Sequence, residues 1–374
     1  LMYDLDVNTG KTGDPVRIFD HTGDTPCVCE GPHIMERDGW FYLLAAEGGT
    51  GVNHRTVVAR SRTVDGYYEP MPGNPLVSAA GTASPLIKSG HGNLVEGPDG
   101  AWYACHLCAR HLPGAETCPL GRESALERIE WIDGWPCLAG GGNEPRAVVP
   151  APMGVVAGTV TEPYRPDTSY VTSFAPGSDL WREEWFVPHA IAPDRVRIAP
   201  AGGLLLAGGD SPSSLFDQTL VARRIQDFSF EASTRLDFSP ANYNQAAGLV
   251  VMYDSRCYAT LWVGFDEVRG VRVADVLICD NGSFSMPLGD AGRLILPSEG
   301  TVGLRVFAAH GTVHFSVDTG EGWQELDCAV AEEMFGDEHV KGPHFTGCMV
   351  GIDAVDLTGA GREATFHDFA YSAI

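Results

Sequence analysis

Apolar and polar positions over residues 1–140 repeat a pattern of polar loop, strand-like run, Asp-Gly pair and aromatic run. Glu30-Gly31-Pro32-His33 precedes Asp38-Gly39-Trp40-Phe41-Tyr42. About one blade-length on, Gly90-His91-Gly92-Asn93-Leu94-Val95 leads through Asp99-Gly100 into Trp102-Tyr103-Ala104-Cys105. Asp133-Gly134-Trp135 gives a third, shorter echo of the turn. Asp-Gly supplies the positive φ angles that a two-residue hairpin needs, so each copy predicts an antiparallel hairpin behind a polar loop. A unit of this kind at a fixed period reads as a β-propeller blade, which sets polar residues of its inner strand around a central pocket. Tyr3, Leu5 and Val7 alternate with Asp4 and Asp6, which predicts strand at the very start of the chain.

Two or three such units are fewer than the four or so that close a propeller. The expectation is therefore that the chain is the C-terminal part of a longer protein. From 141 to 175 the pattern lapses into Gly, Pro, Ala and Val (Gly140-Gly141-Gly142, Pro145, Pro150, Pro152, Pro163, Pro166), which reads as a connecting segment over a surface. From 176 onward short alternating runs return at 229–236, 248–253, 258–263 and 313–317, with 318–323 as a hairpin tip. That spacing is the signature of a β-sandwich. One short helix is predicted near 330–335. The predicted organisation is all-β: 1–140 the C-terminal blades of a propeller, 141–175 a linker, and 176–374 a β-sandwich.

Composition narrows the functional classes. At 374 residues the chain exceeds what one core usually serves. With 49 acidic against 25 basic residues the formal charge is −24. Nucleic acid and anionic membrane surfaces demand basic patches, so both are excluded as partners, whereas a neutral sugar is compatible. No run of about 18 apolar residues marks a membrane-spanning helix. Among the ten cysteines, Cys105, Cys108 and Cys118 superficially resemble metal-ligand spacing. Residues three apart on a strand face opposite ways, however, so Cys105 and Cys108 do not converge. Buried thiols of a bacterial cytoplasmic protein are the expectation, with secretion and homo-oligomerisation left open.

Several stretches in order carry a family resemblance: Glu30-Gly31-Pro32-His33, Ala46-Glu47-Gly48-Gly49-Thr50, Val58-Ala59-Arg60-Ser61, Gly90-His91 and Pro119-Leu120-Gly121-Arg122-Glu123. Val221-Ala222-Arg223-Arg224, Gln245-Ala246-Ala247-Gly248-Leu249-Val250 and Phe345-Thr346-Gly347 follow. Together they resemble glycoside hydrolase family 43, in its β-xylosidase and α-L-arabinofuranosidase branch with a C-terminal sandwich. The resemblance implies a five-bladed propeller followed by a concanavalin-like sandwich that closes over the pocket. It implies inverting exo-hydrolysis of xylo-oligosaccharides or arabinoxylan fragments, with no required cofactor and, in several members, a Ca²⁺ ion near the propeller axis.

Residue by residue, Glu30 matches the general acid. Arg122 matches an arginine that reaches into the sugar subsite, the competing reading being a surface ion pair with Glu123 or Glu127. His91 matches a histidine at the axis that contacts water or metal, against a satisfied core histidine. Thr50 matches a hydroxyl that lines the sugar site. Phe345 matches an aromatic at the pocket mouth, against ordinary sandwich core. The general base and the acid that tunes the donor are expected upstream of this chain, which predicts an isolated chain without activity; Asp4, Asp6, Asp20 and Asp24 do not stand at matching positions. Two departures are a short stretch between His91 and Arg122, and Cys27 and Cys29 beside the acid. A non-catalytic carbohydrate-binding or assembly protein on the same scaffold is the alternative; joint retention of Glu30, Arg122 and Phe345 argues for the glycosidase.

Overall fold

The computed structural model of the chain describes residues 1–20, 28–98, 100–152, 168–180, 184–190, 194–342 and 345–374. It is built almost wholly of antiparallel β-structure, as the alternation predicts. Asp24, Cys27 and Asp99 lie outside the described residues. Two compact units emerge, Leu1–Arg110 with Arg122–Tyr164, and His111–Gly121 with Arg165–Ile374. The segment 111–121 thus counts with the second unit and 141–164 with the first.

The first unit holds two sheets. One runs β1 (Cys29–Arg37), β2 (Trp40–Glu47), β3 (Arg55–Ser61), β4 (Glu69–Pro70), with β5 (Val77–Ser78) also on β3. The other runs β6 (Ile87–Glu96), β7 (Trp102–Ala109), β8 (Glu123–Ile132), β9 (Trp135–Leu138). Asp38 and Gly39 take φ of 51° and 72°, and Asp133 and Gly134 take 51° and 75°, the positive pair that a type I′ hairpin demands. The turn at Asp133-Gly134 joins β8 to β9. What reads in sequence as a third echo is therefore the outer hairpin of the second sheet.

Aromatic residues of that pattern bind the two sheets together. Tyr42, Leu44 and Val58 share one core with Leu94, Ala104, Ile129 and Trp135. The Tyr42 hydroxyl donates to the Gly134 carbonyl at 2.6 Å, and the Arg60 guanidinium lies over the rings of Trp40 and Trp135. Each large apolar side chain buried here contributes about 1.5–3 kcal/mol. The chain start behaves otherwise: residues 1–16 form only isolated bridges, Met2 to Val16 and Leu5 to Thr12, with Tyr3, Leu5 and Val7 exposed. Their alternation has no sheet to face.

The second unit packs two sheets face to face. The first sheet contains β10 (Tyr170–Thr172), β11 (Val196–Ile198), β12 (Leu204–Ala207), β14 (Phe230–Asp237), β20 (Val302–Ala309), β21 (Thr312–Asp318), β22 (Trp323–Ala331) and β24 (Glu363–Ala373). The second contains β13 (Thr219–Arg224), β15 (Gln245–Asp254), β16 (Cys257–Asp266), β17 (Val271–Asp280), β18 (Ser283–Ser285), β19 (Leu294–Ile295) and β23 (Met349–Asp356). Alternate residues such as Leu249 and Val251 on β15 meet Leu304, Val306 and Phe366 in a single large core, as a sandwich requires. The stretch read as a linker contains β10, which pairs with β24. The helical elements named among the described residues are α1 (Gly289–Gly292) and a 3-10 turn at Glu332–Phe335. No helix among the described residues is long and apolar enough to cross a membrane.

Candidate active site

Glu30 stands near the start of β1, paired across from Ala46. Between Glu30 and His33 the register slips by one residue against Ala46 and Leu44. Gly31-Pro32 explains the bulge, because proline offers the ladder no N–H and glycine takes a φ of 58° there. A Cβ on Gly31 would lie 2.1 Å from Nε2 of His91. The imidazole of His91 therefore rests directly on the backbone beside Glu30, and the spacing of the two motifs becomes a contact.

His91 is presented by irregularity in β6. Register shifts fall on either side of Gly90, and both Lys88 and His91 adopt positive φ, 53° and 51°. The shifts re-aim side chains that a regular strand would alternate. Below His91 lies His54, 3% exposed, with the two rings edge to face at 6.4 Å. Its Nδ1 is 2.9 Å from the Lys88 carbonyl. A carbonyl only accepts, so Nδ1 carries the proton and Nε2 is left as an acceptor. Burial pushes the His54 pKa below its ordinary value, the Lys88 carbonyl opposes that, Arg122 and His91 add to it, and Glu30 acts against it. One buried ring thus senses Glu30, His91 and Arg122 together, which puts the three in one electrostatic neighbourhood. His54 escaped the sequence reading because a lone histidine between Asn53 and Arg55 has no periodic or motif signal.

Arg122 donates from Nη2 to the Thr50 carbonyl at 2.5 Å. The two carboxylates of the competing ion-pair reading are engaged elsewhere. Glu123 accepts two bonds from Arg110 at 2.8 and 2.7 Å, and Glu127 accepts from Arg146 side chain and backbone. Thr50 enters through its carbonyl, with its residue exposed on the loop after β2. Glu47, fully buried, accepts from Arg55 at 2.9 and 3.1 Å and stiffens the base of that loop. Glu30 also lines a cavity of about 530 Å³ with Asp20, Arg17, Pro32, Leu43 and Ala45. Asp20 is held there by Arg17 and by the Tyr67 hydroxyl.

Phe345 belongs to the second unit and is 42% exposed, not part of the sandwich core. Cys105 is exposed and Cys108 buried on the same strand, so the pair does not converge. Calcium needs several oxygen ligands. His91 has the His54 ring edge to face at 6.4 Å and the Gly31 backbone against it. Among the described residues, the group able to converge on one ion lies elsewhere, and no step is routed through calcium.

Comparison with known proteins gives the class to which this all-β chain belongs. Residues 1–136 match the model for glycosyl hydrolases family 43, and residues 178–372 match the β-xylosidase C-terminal concanavalin A-like domain. The chain is 34% identical to a β-xylosidase of Bacillus subtilis over 96% of its own length and 68% of that protein. It is 33% identical to xylosidase/arabinosidase 43B of Humicola insolens over 100% of its length and 69% of that protein. A solved xylan β-1,4-xylosidase from Bacillus halodurans superposes with a TM-score of 0.88 at 33% identity, covering 99% of this chain and 70% of that one. The chain belongs to glycoside hydrolase family 43. It is a glycosidase, hydrolysing the bond between a sugar and its substituent.

Proposed function

We propose that the enzyme is an exo-acting, inverting glycosidase that releases xylose from xylo-oligosaccharides or arabinoxylan fragments, with Glu30 as the general acid. The observation that carries this reading is the bulge of β1 beside Glu30, whose Gly31 has the His91 ring against it at a distance that leaves no room for a side chain. Inverting hydrolysis breaks the glycosidic C–O bond as water attacks the anomeric carbon from the opposite face. The protonated carboxyl of Glu30 gives its proton to the leaving oxygen. A second carboxylate, about 6.5–9.5 Å away, takes a proton from the water. Asp20 shares a cavity with Glu30, yet its bonds to Arg17 and Tyr67 occupy it, so no described residue is assigned as the base.

Arg122 serves as the subsite cation. Its guanidinium is planar and permanently charged, and the Nη2 bond to the Thr50 carbonyl fixes the orientation in which it meets a sugar hydroxyl. His91 is a positioning residue, acting on Glu30 through the Gly31 backbone. An α-L-arabinofuranosidase activity is the second reading, favoured by the double name of the Humicola relative. Proton NMR of the first sugar released by the native enzyme from a β-xyloside tests the mechanism. α-Xylose as the initial anomer is expected; β-xylose would mean retention and would remove the inverting assignment.

A further inference from the structure

We propose that Cys257, Asp280 and His339 form a zinc site on the sandwich unit, at the open end of the β16–β17 hairpin. Sγ of Cys257, a carboxylate oxygen of Asp280 and a ring nitrogen of His339 all lie within 4.8 Å of one another. The topology creates this meeting. Tyr258 pairs with Cys279 and Ala259 with Ile278, so the next step of the ladder sets Cys257 opposite Asp280 with both side chains on one face. His339 comes from a third segment, and Asn281 holds that segment in place. Its Nδ2 donates to the His339 carbonyl at 3.2 Å and to Asp280 Oδ1 at 3.0 Å, and its Oδ1 accepts from the Lys341 N–H at 2.8 Å.

The donor set selects the ion. A thiol, an imidazole and a carboxylate suit a borderline-soft divalent cation, and zinc takes this mixture readily. Calcium and magnesium require oxygen shells. Burial is graded in the way an entry path demands: Cys257 is buried as the floor, Asp280 is half-buried, and His339 is exposed at the rim. His339 Nε2 now lies 2.7 Å from Asp280 Oδ1. Tetrahedral zinc with bonds of about 2.0 Å to nitrogen and oxygen sets such ligands roughly 3.3 Å apart. The pair opens by about half an ångström, and the metal replaces the shared proton. Cys257, whose Sγ donates to the Met334 carbonyl at 3.2 Å, gives up its S–H proton and that bond for a Zn–S bond. Water completes the fourth position. Such an ion fastens the hairpin to the segment that begins at Gly336, which is also tied down where the Tyr253 hydroxyl donates to Asp337 at 2.7 Å.

Cobalt(II) is the direct probe, because a thiolate ligand gives a near-ultraviolet charge-transfer band that oxygen and nitrogen ligands do not. The metal-stripped full chain is titrated with Co²⁺, then with Zn²⁺ by calorimetry. One ion per chain is expected, with the band present and displaced by zinc. His339→Gln, at the exposed rim, should weaken binding by about 100-fold or more, beyond the usual loss for an outer-shell partner. Cys257→Ser should abolish the band, and Cys105→Ser, at an exposed thiol of the first unit, should leave it intact. A stripped chain that takes up no Co²⁺ or Zn²⁺, binding unchanged in His339→Gln, or a band lost with Cys105 and kept without Cys257 would each overturn the site.

Discussion

Gly31 faces two demands at once: a φ of 58° and a ring nitrogen 2.1 Å from where its Cβ would go. The backbone demand alone costs a substituted residue on the order of 1 kcal/mol, and the steric one must displace His91 or the loop that carries Glu30. Gly31→Ala should therefore lower kcat by about 100-fold, as misplacing a catalytic group by about 1 Å does, while KM changes little. Steady-state kinetics on a xyloside, with the substitution made in the intact protein that supplies the base, checks this; wild-type kcat in a folded Gly31→Ala enzyme would show that His91 does not position Glu30. Glu30, Gly31 and His91 were legible because each sits in a short motif with unusual residue types. The contact between Gly31 and His91 was not, since two bulges create it and a bulge has no hydrophobic period. His54 was invisible because a lone histidine just before β3 carries no periodic or motif signal, and Arg122 was readable by type while its partner, the Thr50 carbonyl, was not.

Hairpins were the most readable elements, because Asp-Gly leaves the backbone little choice and aromatic alternation marks the strands behind it. The sandwich strands at 248–253, 258–263 and 313–317 fall inside β15, β16 and β21, and the run at 229–236 starts one residue before β14. Where the reading failed, a local pattern lacked its tertiary partner, as at Tyr3, Leu5 and Val7, or was too short to have a period, as at α1. The predicted helix near 330–335 is the 3-10 turn Glu332–Phe335, which begins only after β22 ends at Ala331. That turn buries Glu332 to 4% exposure, and burial pushes its carboxyl from 4.5 up to about 7. Between those values the unfolded chain is ionised while the folded one keeps its proton, so stability falls as pH rises from about 4.5 to about 7. Glu332→Gln removes that loss. Its advantage in chemical denaturation over the wild type should grow between pH 5 and pH 7.5 by on the order of 2 kcal/mol. A pH-independent difference would mean the carboxyl does not titrate on unfolding.

At the scale of the whole molecule, a formal charge of −24 fits an enzyme for neutral sugars, and the largest apolar cluster of each unit stabilises that unit by its own packing. Composition and strand spacing made the all-β class readable. The assignment of 111–121 to the second unit was not, because it rests on bonds such as Cys348 N–H to the Pro119 carbonyl at 2.8 Å, between residues distant in sequence. The central claim is that a family-43 glycosidase uses Glu30 to protonate the leaving sugar oxygen. Hydrolysis by native enzyme and by Glu30→Gln is to be compared on xylobiose, whose leaving group needs a proton, and on a dinitrophenyl xyloside, whose leaving group does not. The account predicts that kcat/KM for xylobiose falls by about 10²–10⁴-fold while the activated substrate loses far less. Equal losses on the two substrates would contradict it.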